Sequence, residues 1–356
     1  MGLRRAASAI AAWFTRLDPS PDVFAVVMAT GVVSVAARDH SYRWISLGLG
    51  LIAVVTFVVL GLGFVVRAAT HPSRLVRLTR DPDVALRMFT FVAACSVLDA
   101  RLGAYPAAGW VLGGLGLAGW VVLTPLAAVD IASRPAADLR DRAHGAWLLP
   151  SVATSGLAAS AAEQGVHVRS LSLVVVGAAA LLLAVGIYIA VASVIVWRAL
   201  AAPFTPAQVP PDSWILMGAL AICALAGSGV LAAVRALGAT EMLVQTVLSV
   251  TLVAWIAASL WIPVLLYAQM WRTDHMAGTL HYQGAWWSAV FPIGMYSAAS
   301  AATGSELRMP ALATISLVLF WVAFTVWTLV GTGLLHTGVS RALQLVRRRG
   351  SLGPGP

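Results

Sequence analysis

The stretch Ala285-Trp-Trp-Ser-Ala-Val-Phe-Pro-Ile-Gly-Met-Tyr-Ser-Ala-Ala-Ser-Ala-Ala-Thr303 decides the fold, because it is long enough to cross a bilayer and carries no charge. Among Leu, Ile and Val it holds only Val290 and Ile293. A helix facing lipid would be rich in these residues, whereas Ala, Ser and Gly let helices pack closely against one another. Pro292 removes a backbone hydrogen bond, and a membrane tolerates this only where protein or water satisfies the freed carbonyl. The stretch therefore predicts an inner membrane helix that bends at Phe291-Pro292.

The composition of the whole chain predicts a membrane protein with many spans. Its apolar fraction is 60% and its charged fraction 10%, against roughly half and a quarter in soluble domains. The 356 residues provide for about ten helices of roughly 20 residues. The formal charge of +9 comes with no lysine and 23 arginines. In a membrane protein such residues report topology first, so we expect no nucleic-acid partner.

We place ten transmembrane helices in one domain, residues 21–336, which follows a cytoplasmic N-terminal segment at 1–20 and precedes a basic cytoplasmic tail at 337–356. The N-terminal segment includes a short apolar run, 6–14, which reads as an interfacial helix. Pro-containing turns and interfacial tryptophans mark most of the span ends. The ten predicted spans are 21–37, 44–66, 84–100, 107–130, 146–162, 170–198, 213–233, 242–270, 284–303 and 311–334.

The arginines predict the orientation of these spans. Seventeen lie on the side that both termini share, and six lie on the other side. The positive-inside rule therefore puts both termini in the cytoplasm, with the chain in the cell (inner) membrane.

The odd-numbered and even-numbered spans differ in composition. About a quarter of the residues in the odd spans are Leu, Ile or Val, against about half in the even spans. This alternation predicts five helical hairpins, each with one inner helix of small residues and one outer helix facing lipid. Five inner helices in a ring would surround a central pore; the alternative is a compact bundle with a packed axis.

Polar residues in the inner spans are mostly hydroxyls, including those of Thr30, Ser34, Ser151, Thr154 and Ser288. Such hydroxyls often bond back to their own helix. As a set they could also line a path without fixed charge, which binds ions weakly and releases them quickly.

Few residues offer other chemistry. Arg87 lies near the cytoplasmic end of the third span, where it either snorkels to the interface or enriches anions at the pore mouth. Asp99 lies near the other end of the same span, where it could pair with Arg101 or with a neighbouring loop; a role in proton relay is the alternative. No histidine has metal-ligand spacing, and no nucleophile or phosphate-binding motif occurs. We therefore expect neither an enzyme nor a bound metal or cofactor.

Two motifs resemble those of a known family. The run Asp22-Val-Phe-Ala-Val-Val-Met-Ala-Thr-Gly-Val-Val-Ser-Val-Ala-Ala37 is similar to the first helix of the tellurite-resistance/dicarboxylate transporter family. Trp286-Trp287-Ser-Ala-Val-Phe291-Pro292 is similar to the Trp-Trp-x-x-x-Phe-Pro pattern of its ninth helix. The family includes bacterial tellurite-resistance proteins, yeast malate and sulfite transporters, and the slow-type anion channels of plant guard cells. The resemblance covers residues 20–336.

The resemblance implies a homotrimer in which each chain carries a five-helix pore for small inorganic or dicarboxylate anions. It implies that Phe291 gates the pore and that Pro292, Gly31 and Pro150 shape it. Two spans depart from the family pattern: Pro150 is not followed by Val-Gly, and Leu216-Met-Gly-Ala-Leu lacks the usual Gly-Pro.

Other functions remain open from the sequence. One is a proton-coupled carrier of C4-dicarboxylates such as malate, or an exporter of sulfite or tellurite. Another, of a different class, is a membrane scaffold or sensor that conducts nothing.

Overall fold

A computed structural model describes residues 22–70, 81–201, 205–279 and 282–350 of the chain. The predicted interfacial helix at 6–14, the first-span residue Pro21 and the final residues 351–356 lie outside the described residues. Within the described part the chain is helical and has no strand, which confirms the predicted all-α class. Helices are the expected form for apolar segments in a bilayer, because they satisfy every backbone polar group internally.

Most helices begin and end within a few residues of the predicted spans, but the last helix, Pro310–Gly350, continues past the predicted end at 334 into the predicted tail at 337–356. The third span is divided at Met88 into two helices, and short 3-10 turns at Gly145–Leu148, Pro211–Trp214 and Gly284–Trp286 precede the helices of the fifth, seventh and ninth spans. The helices are α1 (Ala25–Asp39), α2 (Arg43–Thr70), α3 (Pro82–Arg87), α4 (Phe89–Leu102), α5 (Pro106–Ala132), α6 (Ala136–Arg142), α7 (Leu149–His167), α8 (Leu171–Ala201), α9 (Ile215–Ala236), α10 (Glu241–His275), α11 (Trp287–Leu307) and α12 (Pro310–Gly350).

Six helices in the described part are long and apolar enough to cross a membrane. Five of them, α2, α5, α8, α10 and α12, have only 22–33% of their most apolar window buried in the protein. The sixth, formed by Pro211–Ala236, is 83% buried. The difference divides these helices into five that present Leu, Ile, Val and aromatic side chains to the surroundings and one that is enclosed by the others.

The remaining predicted spans form the enclosed helices α1, α4, α7 and α11, of 15, 14, 19 and 21 residues. Together with α9 they pack against one another in the order α1, α4, α7, α9, α11 and back to α1. Each also packs extensively against the long helix that follows it in the chain.

Glycines permit these close contacts between the enclosed helices. At four glycines a Cβ atom would lie within 2.6–2.9 Å of an atom on the neighbouring helix, closer than real Cβ contacts. Since the contacts are with side chains of separate helices, a larger residue would push the helices apart. The four glycines and their neighbours are Gly31 with Val97, Gly156 with Ser96, Gly218 with Pro292, and Gly294 with Val32.

Candidate functional site

The Phe-Pro motif lies inside the first third of α11 and is fully enclosed. The side chain of Phe291 is 2% exposed, and Pro292 is buried beside it. Pro292 has no N–H to donate to the carbonyl four residues earlier, which belongs to Ser288, so α11 lacks that backbone hydrogen bond. Gly218 of α9 lies directly against the Pro292 ring. The motif is therefore held between α11 and α9.

Four of the predicted pore-lining hydroxyls form hydrogen bonds with residues of the long outer helices. The Oγ of Ser34 donates to the carbonyl of Ser46 on α2 over 2.7 Å, and that of Ser151 donates to the carbonyl of Ala184 on α8 over 2.7 Å. Trp327 of α12 donates its indole N–H to Thr30 over 2.9 Å, and Trp120 of α5 donates to Thr154 over 2.8 Å. These hydroxyls tie inner helices to outer ones, and their role in lining a pore stays a prediction.

The other predicted pore-shaping residues are also enclosed. Gly31 lies at the contact between α1 and α4, and Pro150 lies in the first turn of α7, where its missing N–H leaves no acceptor unpaired. Ser288 is 9% exposed in the first turn of α11. The structure thus places the predicted site residues on α1, α7 and α11, with α1 packed against α11 and α7 packed against α4 and α9.

Arg87 lies where α3 meets α4, at the end of the bundle where the inner helices α4, α7, α9 and α11 begin. Its guanidinium approaches the carboxylate of Asp22 to 3.6 Å, and its side chain is 34% exposed. Its Nε atom is buried and has no hydrogen-bond partner in the part of the chain that the structure describes. Part of its charge is therefore compensated, and a role in attracting anions stays a prediction.

A cluster of four side chains joins the segments that lead into three of the inner helices; we call it the polar clasp and define it as Asp83, His144, Trp147 and Asp212. The Nδ1 of His144 lies 2.8 Å from the carboxylate of Asp212, and its Nε2 lies 3.5 Å from that of Asp83. Trp147 donates its indole N–H to Asp83 over 2.7 Å. The clasp connects α3, the turn before α7 and the turn before α9.

The electrostatics of the clasp favour a charged imidazole. Burial opposes the charge, but the hydrogen bonds with Asp212 and Asp83 outweigh it and raise the pKa of His144 to about 9. The hydrogen bond from His144 in turn lowers the pKa of Asp83 below its usual value. At neutral pH the clasp is therefore a bridge of one cation between two carboxylates.

Among the described residues, no group of three His, Cys, Asp or Glu side chains has an arrangement that could hold a metal ion. The candidate site consists of close contacts between inner helices, buried hydroxyls on these helices, and the polar clasp, in which the charges are paired. It thus defines a helical membrane protein whose inner helices are enclosed by a lipid-facing shell.

Comparison with known proteins identifies the family. The model of the SLAC1 family, described as voltage-dependent anion channel, matches residues 19–335. The chain belongs to this family and is a membrane transporter or channel, which confirms the resemblance seen in its first and ninth spans. A family of channels and transporters also agrees with the expectation that the chain is not an enzyme.

Two relatives from other organisms are similar to the chain. An uncharacterized membrane protein of Mycobacterium tuberculosis is 34% identical over 152 residues, which is 42% of this chain and 76% of the relative. An uncharacterized transporter of Methanocaldococcus jannaschii is 21% identical over 342 residues, which is 89% of this chain and 94% of the relative.

Sequence reasoning missed the polar clasp and the contact between Gly218 and Pro292. His144 stands in a predicted loop, and Asp212 follows a pair of prolines 68 residues later. The local sequence pattern does not pair His144 with Asp212. The Pro-Pro-Asp sequence before α9 does indicate a rigid turn at that end of the bundle.

Proposed function

We propose that this protein lets small anions cross the bilayer through a central path enclosed by α1, α4, α7, α9 and α11. The proposal rests on one observation: each of these five helices packs against the next, and α11 packs against α1. Each of them also packs against the long helix that follows it in the chain. Membership of the voltage-dependent anion channel family supports the same function. Small residues on the inner helices allow a narrow path without a polar lining of fixed charge.

Anions rather than cations are the proposed substrates because of where the charges lie. Arginines outnumber acids on the side that carries both termini, so the local potential there attracts anions. This orientation, with both termini cytoplasmic, is part of the proposal. A reporter fused to the C-terminus and active only outside the cytoplasm tests it, and an active reporter would contradict it.

The proposed gate is Phe291. An apolar ring across the axis blocks hydrated ions both by its volume and by excluding water. The burial of Phe291, its place beside Pro292 and the motif it shares with the family support this role. Ser288, Gly31, Thr30, Ser34, Pro150, Ser151 and Thr154 are proposed to line or shape the path with their backbones and small side chains. A homotrimer in the cell membrane completes the proposal.

A flux panel on purified protein in liposomes tests the function. We expect passage of at least one of chloride, nitrate, sulfite, malate or tellurite above that of protein-free liposomes, with potassium excluded. Potassium flux equal to chloride flux would overturn the anion proposal. Absence of every flux from correctly assembled protein would favour a scaffold or sensor instead.

A further inference from the structure

A second group of buried polar side chains lies at the opposite end of the bundle from the polar clasp. Asp99, near the end of α4, is 1% exposed, and neither of its carboxylate oxygens has a hydrogen-bond partner among the described residues. Gln164 of α7 is 5% exposed, and its Oε1 also has no partner. Within the described part of the chain these three buried oxygens therefore make no hydrogen bond, which is rare in proteins.

Gly109 of α5 shows that these side chains converge. A Cβ atom at this position would collide with the amide nitrogen of Gln164 and would lie 2.8 Å from Oδ1 of Asp99. The space that a side chain would fill on α5 is thus occupied by two polar groups from α4 and α7. The Ser160 hydroxyl faces Asp99 from α7 but makes no hydrogen bond of normal geometry with it.

The nearest arginine on the same helix is engaged elsewhere. Arg101 donates its Nε–H to the hydroxyl of Ser34 over 2.7 Å, and one of its terminal nitrogens lies 3.4 Å from the carbonyl of Ser46. Arg38 of α1 donates to the carbonyl of Ala100 over 3.0 Å. The expected pairing of Asp99 with Arg101 is therefore absent from the described residues, and the carboxyl has no countercharge in contact.

A proton on the carboxyl of Asp99 would remove the buried negative charge without requiring any other group. An isolated carboxylate is very costly to bury, and such a group takes up a proton instead. The amide nitrogen of Gln164 is the atom that shares this space with Oδ1 of Asp99, and turning the amide over exchanges it with Oε1. A protonated Asp99 then supplies an O–H that can donate to Oε1 of Gln164, so one proton satisfies two of the groups at once. A hard cation such as Ca²⁺ or Mg²⁺ takes six or more oxygen ligands, more than the three free oxygens here.

We propose that Asp99 and Gln164 form a proton-binding site, in which the protonated carboxyl of Asp99 donates to Gln164 and exchanges its proton with the predicted extracytoplasmic side. Release of the proton to water leaves a carboxylate between α4 and α7, two of the inner helices. That charge repels anions and draws water into their contact. Anion passage therefore falls as the pH on that side rises. This consequence, though not the site itself, rests on the proposed function.

Other charged and titratable groups surround the site and set its electrostatics. Those that interact electrostatically with Asp99 are Cys95 from the same helix and Glu163 and His167 from α7. Arg38 from α1 interacts with Glu163 and with Arg101, and Tyr105, just before α5, interacts with Arg101.

Infrared spectroscopy of the protein in liposomes tests the site without needing transport. We expect a C=O stretching band of a protonated carboxyl at neutral pH that is lost in Asp99→Asn and kept in the control Glu163→Gln. In Gln164→Leu, which removes the acceptor, the band should shift to the position of a carboxyl without a hydrogen bond. In the unmodified protein the band should decrease as the outside pH rises.

Chloride flux measured on the same samples tests the consequence. Flux through the unmodified protein should fall over the pH range in which the band falls, and Asp99→Asn should lose this dependence. Absence of the C=O band at neutral pH would overturn the proposal. It would also be overturned if neither the band nor the flux changed with the outside pH. If Asp99→Asn fails to fold, the titration of the unmodified protein and Gln164→Leu still decide. Absence of all flux with a titrating band would sink the anion function but leave the proton site standing.

Discussion

Gly218 on α9 lies against Pro292 on α11 so closely that a Cβ atom at position 218 would come within 2.7 Å of the Pro292 Cβ. The contact joins the turn at which α11 lacks a backbone hydrogen bond to a position on α9 that only glycine can occupy without movement. Two inner helices therefore meet at the motif that carries the proposed gate.

The first prediction concerns this contact. In Gly218→Ala, α9 must move away from Pro292, and we expect a loss of about 1–3 kcal/mol of stability, as for other overpacked sites, with altered anion flux. Gly229→Ala on the same helix is the matched control, because nothing lies within 4 Å of its Cβ position. Thermal unfolding and liposome flux are the measurements, and equal behaviour of the two variants would contradict the prediction.

The second prediction concerns the gate. In Phe291→Ala we expect higher anion flux and near-normal thermal stability, because a ring in the axis can be removed without opening a cavity in the core. If Phe291 packs between helices instead, truncation should cost about 3–5 kcal/mol by analogy with soluble proteins, with unchanged or lower flux. Phe320→Ala on α12 is the reference for a packed ring, since Phe320 is 0% exposed. A stability loss matching that of the reference would remove Phe291 from the site.

The third prediction concerns the predicted bend of α11 at Phe291-Pro292. Pro292→Ala restores a backbone donor and should straighten α11, which turns Phe291 and changes flux. The control is Pro263→Ala, which makes the same change inside α10, where the proline is exposed. Flux through both variants in liposomes is the measurement. Normal flux in a correctly folded Pro292→Ala protein would mean that the bend is incidental.

The fourth prediction concerns the polar clasp. The pKa of His144 is raised from 6.5 to about 9, so its contribution to stability is complete below about pH 6.5 and disappears as the pH rises through about 9. We expect the melting temperature to fall across this window, with a contribution of at most about 3 kcal/mol.

In His144→Gln the melting temperature should be lower at pH 6 and should lose this part of its pH dependence. His167→Gln is the control, because His167 is exposed. Thermal unfolding between pH 6 and pH 9.5 decides the matter, and identical pH profiles for His144→Gln and the unmodified protein would refute it.

Much of the helical framework could be predicted from the sequence, because each helix that crosses a bilayer needs about 20 mostly apolar residues whatever the rest of the chain does. The predicted span at 107–130 is the helix Pro106–Ala132, and the predicted span at 170–198 is Leu171–Ala201. The contrast in Leu, Ile and Val content between spans reappears as a contrast in burial for the six apolar helices.

The direction of individual side chains could not be predicted, because it depends on neighbours far away in the chain. Thr154 accepts a hydrogen bond from Trp120, and Ser151 donates to a carbonyl of α8. The sequence places these hydroxyls on α7, a predicted inner helix. Because small residues lie all around α7, the sequence does not indicate which of its faces packs against an outer helix. The pairing of His144 with Asp212 likewise depends on two turns meeting at one end of the bundle.

The hydrogen bond between Trp327 and Thr30 spans 297 positions of the chain, and it sets an order for assembly in the cell. During synthesis α1 enters the membrane well before its partner on α12 is made. Until then the hydroxyl of Thr30 lacks its indole partner. The helix that carries it, α1, has only 15 residues and lies in the bilayer without this contact. The arrival of the α11–α12 hairpin therefore completes the contacts of α1, so a ribosome that stalls before α12 should leave a chain that cellular quality control recognises as unfinished.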